Sequence, residues 1–164
     1  ARVGDVVYVS GTLGDAAAAL SVMQGHWQPE QGHADYLLGR FNRPNARIEL
    51  GRELLHRATA AIDLSDGLLA DAGHIARASG VRLNIDPDLL PLSPALSSHG
   101  DREAVLGWAL AGGDDYELCF CLAPREVPPA GCTRIGVVQS GAGVDCGREI
   151  DFSPGYQHFS GGQA

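Results

Sequence analysis

The stretch Ile62-Asp63-Leu64-Ser65-Asp66-Gly67-Leu68 decides how this chain is organised, because it contains the end of a strand, a turn and the start of a helix. Its apolar first half predicts a short strand at residues 61–64, and its last residue opens an apolar stripe with helical period. Asp63 and Ser65 are two residues apart, so both are expected on one face where the strand ends. Asp66 follows in the turn.

Two carboxylates and a hydroxyl therefore gather where a predicted strand meets the N-terminus of a predicted helix. Oxygen ligands in this arrangement suit Mg²⁺, which takes one or two carboxylates plus substrate phosphates. A helix N-terminus also favours anions. The alternative is that Ser65 or Asp66 only caps the helix. Capping does not require Asp63, whose charge at the end of an apolar strand needs another reason. The spacing leaves both interpretations open.

A second acidic segment, Gly112-Gly113-Asp114-Asp115-Tyr116-Glu117, lies between a predicted helix at 102–111 and a predicted strand at 116–122. Acids beside a helix C-terminus face an unfavourable dipole, which a cation or a hydrogen-bond donor would relieve. The simpler alternative is a glycine-rich helix stop with solvated acids, which this segment alone slightly favours. A third segment, Ser10-Gly11-Thr12-Leu13-Gly14-Asp15, is predicted to be a structural turn between a strand and a helix.

Strands and helices alternate along the rest of the chain, which predicts a mixed β-sheet packed with helices, an α+β fold. Strands at 133–138 and 144–150 are expected to form a late hairpin around Gly141–Gly143. The segments 25–34, 40–46 and 87–100 are predicted to be irregular. The remaining predicted strands are 6–9 and 81–85, and the remaining predicted helices are 16–23, 49–60 and 68–79.

The composition excludes several functions. The chain has 164 residues, 45% of them hydrophobic, which is enough for one domain with a core. Its net charge of −8 argues against nucleic-acid or anionic-membrane partners. All twelve of its Lys and Arg residues are arginine, so no lysine serves a Walker A loop or a Schiff base. The four cysteines are expected to be reduced and packed as small hydrophobes. We predict a cytoplasmic protein, since no signal peptide or transmembrane run is present.

Taken together and in order, these segments resemble the thiamine-monophosphate kinases of the aminoimidazole-ribonucleotide-synthetase superfamily. The resemblance implies that residues 1–164 are the C-terminal domain of a two-domain kinase, preceded by an N-terminal domain. The family transfers the γ-phosphoryl group of ATP to thiamine monophosphate and uses several Mg²⁺ ions. Besides the segments already quoted, the resemblance rests on Gly4–Gly14, Asp71, His74-Ile75, Ser79-Gly80-Val81, Leu90-Pro91-Leu92 and Gly155-Tyr156-Gln157-His158-Phe159.

The resemblance also implies roles for single residues. Asp63 and Asp66 would be metal ligands, and Ser65 would contact ATP. Asp114 and Tyr156 would bind the substrate. The family usually has glutamate at the position of Asp114, so its shorter side chain needs a water molecule or a shifted loop to make the same contact.

The resemblance further implies a homodimer at full length and an isolated fragment without turnover. Two alternatives differ in kind. The chain could belong to another ATP-dependent synthetase of the same superfamily, acting on an amide or forming a selenophosphate. It could also be a non-catalytic binding or dimerisation module whose acids only cap helices.

Overall fold

Six strands form one sheet in the computed structural model, which describes residues 1–147. In chain order they are β1 (Val6–Ser10), β2 (Ala60–Asp63), β3 (Arg82–Ile85), β4 (Leu118–Leu122), β5 (Cys132–Gln139) and β6 (Gly143–Asp145). The strand order in the sheet is β2-β4-β1-β5-β3-β6. Neighbouring strands are antiparallel, apart from the parallel pair β3 and β6. The sheet and its helices confirm the predicted α+β class with a mixed sheet.

The predicted late hairpin is wrong, because β3 lies between β5 and β6 in the sheet. The glycine turn does not pair β6 with β5. It carries the chain past the first residue of β3 to the far side of that strand. Gly141 has a φ of +130°, and a Cβ on it would lie 3.0 Å from Nε of Arg82, the first residue of β3. Two strands around a glycine turn resemble a hairpin in sequence, and only the long-range pairing of β3 separates them.

The helices are α1 (Asp15–Met23), α2 (Gln31–Asn42), α3 (Ile48–Leu54), α4 (Leu68–Ser79), α5 (Pro94–Ser97) and α6 (Arg102–Ala111), and Pro87–Leu89 form one 3₁₀ turn. The predicted helices at 68–79 and 102–111 are confirmed. Within the described residues, 1–147, no helix is long and apolar enough to cross a membrane.

Two predictions about the first half of the chain are wrong. Both ends of α2 lie in segments that we predicted to be irregular, 25–34 and 40–46, and its middle lies between these segments. Its sequence is polar with two glycines, and only Leu37 is fully buried, so packing against α1 and α5 rather than an apolar stripe makes it helical. The helix predicted at 49–60 ends at Leu54, since Ala60 already pairs with β4.

The two faces of the sheet carry separate parts of the core. On one face, Cys119 and Cys121 of β4 pack with α4 and α6. On the other face, Phe120 of the same strand packs with Leu54 of α3 and stacks on Tyr8 of β1, with ring centroids 5.7 Å apart. Both cysteines are free and fully buried, which confirms their predicted role as small hydrophobic residues.

The antiparallel pairing determines where the three predicted segments lie. Asp63, at the end of β2, is opposite Leu118, at the start of β4. Val9, near the end of β1, is opposite Cys119. Antiparallel neighbours place the end of one strand beside the start of the next. The segments that follow β2 and β1 and the segment that precedes β4 therefore meet at one end of the sheet.

Candidate functional site

The loop after β2 and the loop before β4 are joined by backbone hydrogen bonds. The Leu64 N–H donates to the Glu117 carbonyl at 2.8 Å, and the Tyr116 N–H donates to the Leu64 carbonyl at 2.9 Å. The Asp114 N–H donates to the Ser65 carbonyl at 3.0 Å. These bonds extend the pairing of β2 and β4 past the ends of the strands, so the two acidic segments form one surface.

Glycines let these loops approach each other through their backbones. A Cβ on Gly113 would lie 2.5 Å from the Ser65 carbonyl oxygen. Gly67 has a φ of +108°, and a Cβ there would lie 2.7 Å from the Ala111 carbonyl oxygen. Real Cβ atoms do not come this close to backbone oxygens, so these two positions require glycine.

Asp63 and Asp66 lie on this surface with exposed side chains. Gly67 is the N-cap of α4, and no side chain caps that helix, so the capping alternative for Ser65 and Asp66 is wrong. The carboxylate of Asp63 is in solvent, so its charge at the end of an apolar strand carries no cost of burial. Among residues 1–147, no arginine or hydrogen-bond donor pairs with the carboxylate of Asp63 or of Asp66.

The buried carboxylate of Asp71, which the sequence analysis quoted for the resemblance without giving it a role, holds the turn between them. One oxygen of Asp71, in the first turn of α4, accepts the N–H groups of Ser65 and Asp66, both at 3.0 Å. Burial raises the pKa of Asp71, and the negative charges of Asp66 and Asp63 raise it further. An acid beside the apolar stripe of α4 was the signal that could have identified Asp71 before the structure was known.

The donor set fits a partial magnesium shell. Within the described part of the chain, no group of three or more His, Cys, Asp or Glu side chains is arranged to hold a metal ion. Mg²⁺ needs only one or two protein carboxylates when phosphates and water complete its shell. Asp63 and Asp66 could supply two such carboxylates, since both are exposed and neither pairs with a cation within residues 1–147.

Asp114 and Tyr116 point to the same surface from the second loop. Both are exposed and both have left-handed backbone angles, with φ of 66° and 52°. The Tyr116 hydroxyl donates to Asp114 Oδ1 at 3.2 Å. This hydrogen bond, together with the charges of Asp114, Asp63 and Asp66, raises the pKa of Tyr116. The surface is therefore acidic and carries an exposed aromatic ring, whereas Tyr156, the other predicted substrate contact, lies outside the described residues.

Exposed and buried side chains alternate along this loop, so the alternative of a helix stop with solvated acids holds for only one of its acids. Asp115 is buried, and its carboxylate accepts the N–H groups of Gly14 at 2.6 Å and Ala16 at 3.3 Å, at the start of α1. Burial raises its pKa to about 7, against the lowering effect of these two bonds. Glu117 is fully buried as well. Only Asp114, of the three acids in the segment, is solvated.

Two arginines that the sequence interpretation missed pair with Glu117. Arg47, just before α3, donates from Nε and Nη2 to the two carboxylate oxygens, both at 2.6 Å, and Arg40 of α2 donates to Oε1 at 3.0 Å. Ser10 Oγ donates to the same carboxylate at 2.5 Å. Arg47 and Glu117 are 70 residues apart in sequence, so no local pattern could have connected them.

The chain is similar in sequence and in structure to thiamine-monophosphate kinases. The thiamine-monophosphate kinase of Salmonella typhimurium is 46% identical over 147 residues, which are 89% of this chain and 44% of the relative. The crystal structure of thiamine-monophosphate kinase from Stenotrophomonas maltophilia is 42% identical with a TM-score of 0.83, over 90% of this chain and 51% of that one. The structure of AaThiL complexed with AMPPCP and TMP is 39% identical with a TM-score of 0.85, over 97% and 52%.

The chain thus spans about half the length of these relatives. They confirm the predicted resemblance to thiamine-monophosphate kinases. A family profile described as "AIR synthase related protein, C-terminal domain" matches residues 2–127, which include both acidic segments and the turn at residues 10–15. The chain therefore belongs to the family of AIR synthase related protein C-terminal domains.

Proposed function

We propose that this chain forms the C-terminal half of a two-domain kinase that phosphorylates thiamine monophosphate to thiamine diphosphate with ATP. The relatives described above are named thiamine-monophosphate kinases, and AaThiL has been solved in complex with AMPPCP and TMP. The observation that carries the proposal is the exposed pair Asp63 and Asp66, which has no partner in the described part of the chain and lies on a loop bonded to the loop of Asp114. An N-terminal domain, a homodimer and a cytoplasmic location belong to the same proposal.

The chemistry asks for charge control more than for proton transfer. A phosphate monoester has a second pKa of about 6, so it is largely dianionic near neutral pH and needs little help from a general base. The obstacle is the repulsion between two polyanions, which makes positioning and charge neutralisation the main tasks of the site. A chain without lysine cannot meet this need with ammonium groups.

Each residue has a defined task in this proposal. Asp63 and Asp66 would hold magnesium ions, which neutralise phosphate charge when bound. Ser65 lies between them and would contact ATP. Asp114 would face the cationic thiazolium of the substrate, whose charge suits the acidic surface. Tyr156 would add an aromatic contact.

The first prediction tests Asp63 in the two-domain protein. Asp63→Asn should lower kcat for thiamine diphosphate formation by roughly 100-fold, because a neutral amide holds a divalent cation poorly. The exposed position should leave the melting temperature unchanged. Asp86→Asn is the matched control, since Asp86 is an exposed aspartate directly after β3, and three strands of the sheet separate β3 from β2.

An unchanged kcat in Asp63→Asn would remove this residue from the site. A wild-type protein that forms no thiamine diphosphate from ATP and Mg²⁺ would overturn the proposed function itself. Activity on formylglycinamidine ribonucleotide in its place would assign the chain to another synthetase of the superfamily. Calorimetry without any binding of ATP, Mg²⁺ or thiamine phosphates would favour a non-catalytic module.

A further inference from the structure

We propose that Arg40 and Arg47 are positioning residues, which hold the loop of residues 113–117 so that Asp114 presents its carboxylate to the substrate. This inference rests on the proposed function for the identity of that substrate. Among the described residues, neither arginine pairs with Asp63, Asp66 or Asp114; both bond to Glu117, and Arg40 also bonds to the Asp115 carbonyl.

The backbone of this loop is strained at the two residues whose side chains face solvent. Asp114 and Tyr116 both occupy the left-handed region, which is uncommon for any residue with a side chain and exceptional for a bulky one. Such conformations persist only where the surroundings enforce them. The residues between and after them, Asp115 and Glu117, point inward and are buried. The inward contacts therefore share the work of holding the outward residues with the backbone bonds to Leu64 and Ser65.

Arg40 reaches both inward residues. Its Nη2 donates to Glu117 Oε1 at 3.0 Å and to the Asp115 carbonyl at 3.4 Å. Arg47 forms two nearly equal bonds with the Glu117 carboxylate, the bidentate geometry that only a guanidinium provides. Gly11 makes room for the carboxylate, since a Cβ at that position would overlap with Glu117 Oε1. The carboxylate is thus gripped from α2, from the segment before α3 and from the end of β1.

Stability alone does not explain such an arrangement. A buried ion pair is often no more stabilising than apolar residues of the same volume, because removing both charges from water is costly. What a bidentate arginine adds to a fully buried carboxylate is a fixed position and orientation. Glu117 directly follows Tyr116 and lies three residues after Asp114. A fixed position of Glu117 therefore restrains both outward side chains.

The test uses the two-domain protein and the variant Arg47→Lys, which keeps the charge but loses the paired bonds. The KM for thiamine monophosphate should rise roughly tenfold, while kcat and the KM for ATP stay within about twofold. In an Asp114→Ala background the same substitution should have no further effect on that KM, because the residue it positions is gone. Arg52→Lys, in an exposed ion pair with Glu49 on α3, is the matched control and should change nothing.

Two outcomes would overturn the proposal: an unchanged KM for thiamine monophosphate, or a rise that persists in full in the Asp114→Ala background. If Arg47→Lys does not fold, Arg40→Lys takes its place with the same expectations. If the wild-type protein does not act on thiamine monophosphate, the proposed function fails, and a crystal structure of Arg47→Lys then decides the positioning role. Left-handed φ angles retained at Asp114 and Tyr116 would refute it, and their loss would support it.

Discussion

Two adjacent aspartates in this chain have opposite environments. Asp114 is exposed and hydrogen-bonded to a tyrosine hydroxyl, whereas Asp115 is buried against the start of α1. Helix N-termini stabilise carboxylates, and the two N–H bonds from Gly14 and Ala16 lower the pKa of Asp115 as expected. Burial outweighs both bonds and raises the pKa to about 7. At the scale of single residues, the extent of burial decides the protonation state.

The raised pKa predicts how stability depends on pH. The folded chain keeps a proton on Asp115 up to about pH 7, whereas the unfolded chain releases it near the ordinary value of 3.8. The contribution of Asp115 to the free energy of unfolding should therefore fall as pH rises through this window, by on the order of 4 kcal/mol, and level off above it. Urea denaturation at several pH values would measure this slope.

Asp115→Asn should remove that contribution to the slope, whatever its effect on absolute stability. Asp101→Asn is the matched control, because Asp101 also accepts two backbone N–H groups at a helix start but is exposed. Equal slopes for wild type and Asp115→Asn would contradict a pKa near 7.

The loops around the site depend on contacts between backbones rather than between side chains. The turn after β2 packs against the end of α6 and the segment that follows it, with glycine at each point of contact. Asp71 satisfies two N–H groups of this turn from within α4. At the scale of elements, close approach and buried polar bonds replace apolar packing, and this keeps the acidic side chains free to face solvent.

Gly113 tests this close approach without a change of backbone angle, since its φ is not in the left-handed region. Gly113→Ala should lower the free energy of unfolding by about 1–3 kcal/mol, because the new methyl group overlaps with the Ser65 carbonyl. Gly107→Ala, inside α6 with open space around it, should raise the same quantity by about 0.5–1 kcal/mol. Chemical denaturation of both variants measures the difference, and a neutral Gly113→Ala would refute the close contact.

The sheet brings together three segments that are far apart in the chain. The ends of β1 and β2 lie beside the start of β4, on either side of it in the strand order. The resulting surface is acidic and open to solvent, and its carboxylates at Asp63 and Asp66 have no partner among residues 1–147. At the scale of the whole molecule, the packed sheet holds an exposed acidic surface at one end and has its own core.

The isolated chain should therefore fold but not turn over. Its core spans both faces of the sheet, so we expect a single cooperative unfolding transition by circular dichroism. The chain covers about half the length of its relatives, so we expect no formation of thiamine diphosphate from ATP and Mg²⁺ by this chain alone. Measurable turnover by the isolated chain would contradict this prediction.

Local features of the sequence were sufficient to predict the α+β class, helices α4 and α6, and the acidic turn after β2. A strand end, a glycine and an apolar stripe are short-range signals, so they can be interpreted without knowing what lies nearby. The same reasoning failed for α2, which becomes helical through its neighbours, and for β6, which pairs with β3 across a glycine turn.

Only the tertiary structure decided which acids are free and which are held. Asp63 and Asp66 are exposed, while Asp71, Asp115 and Glu117 are buried. The side chain of an acid has the same chemistry in each case, and its burial and partners depend on elements up to 107 residues away. The packing of helices and loops on the sheet brings Arg47 to Glu117 and Gly14 to Asp115. Such contacts between distant segments cannot be deduced from residue type.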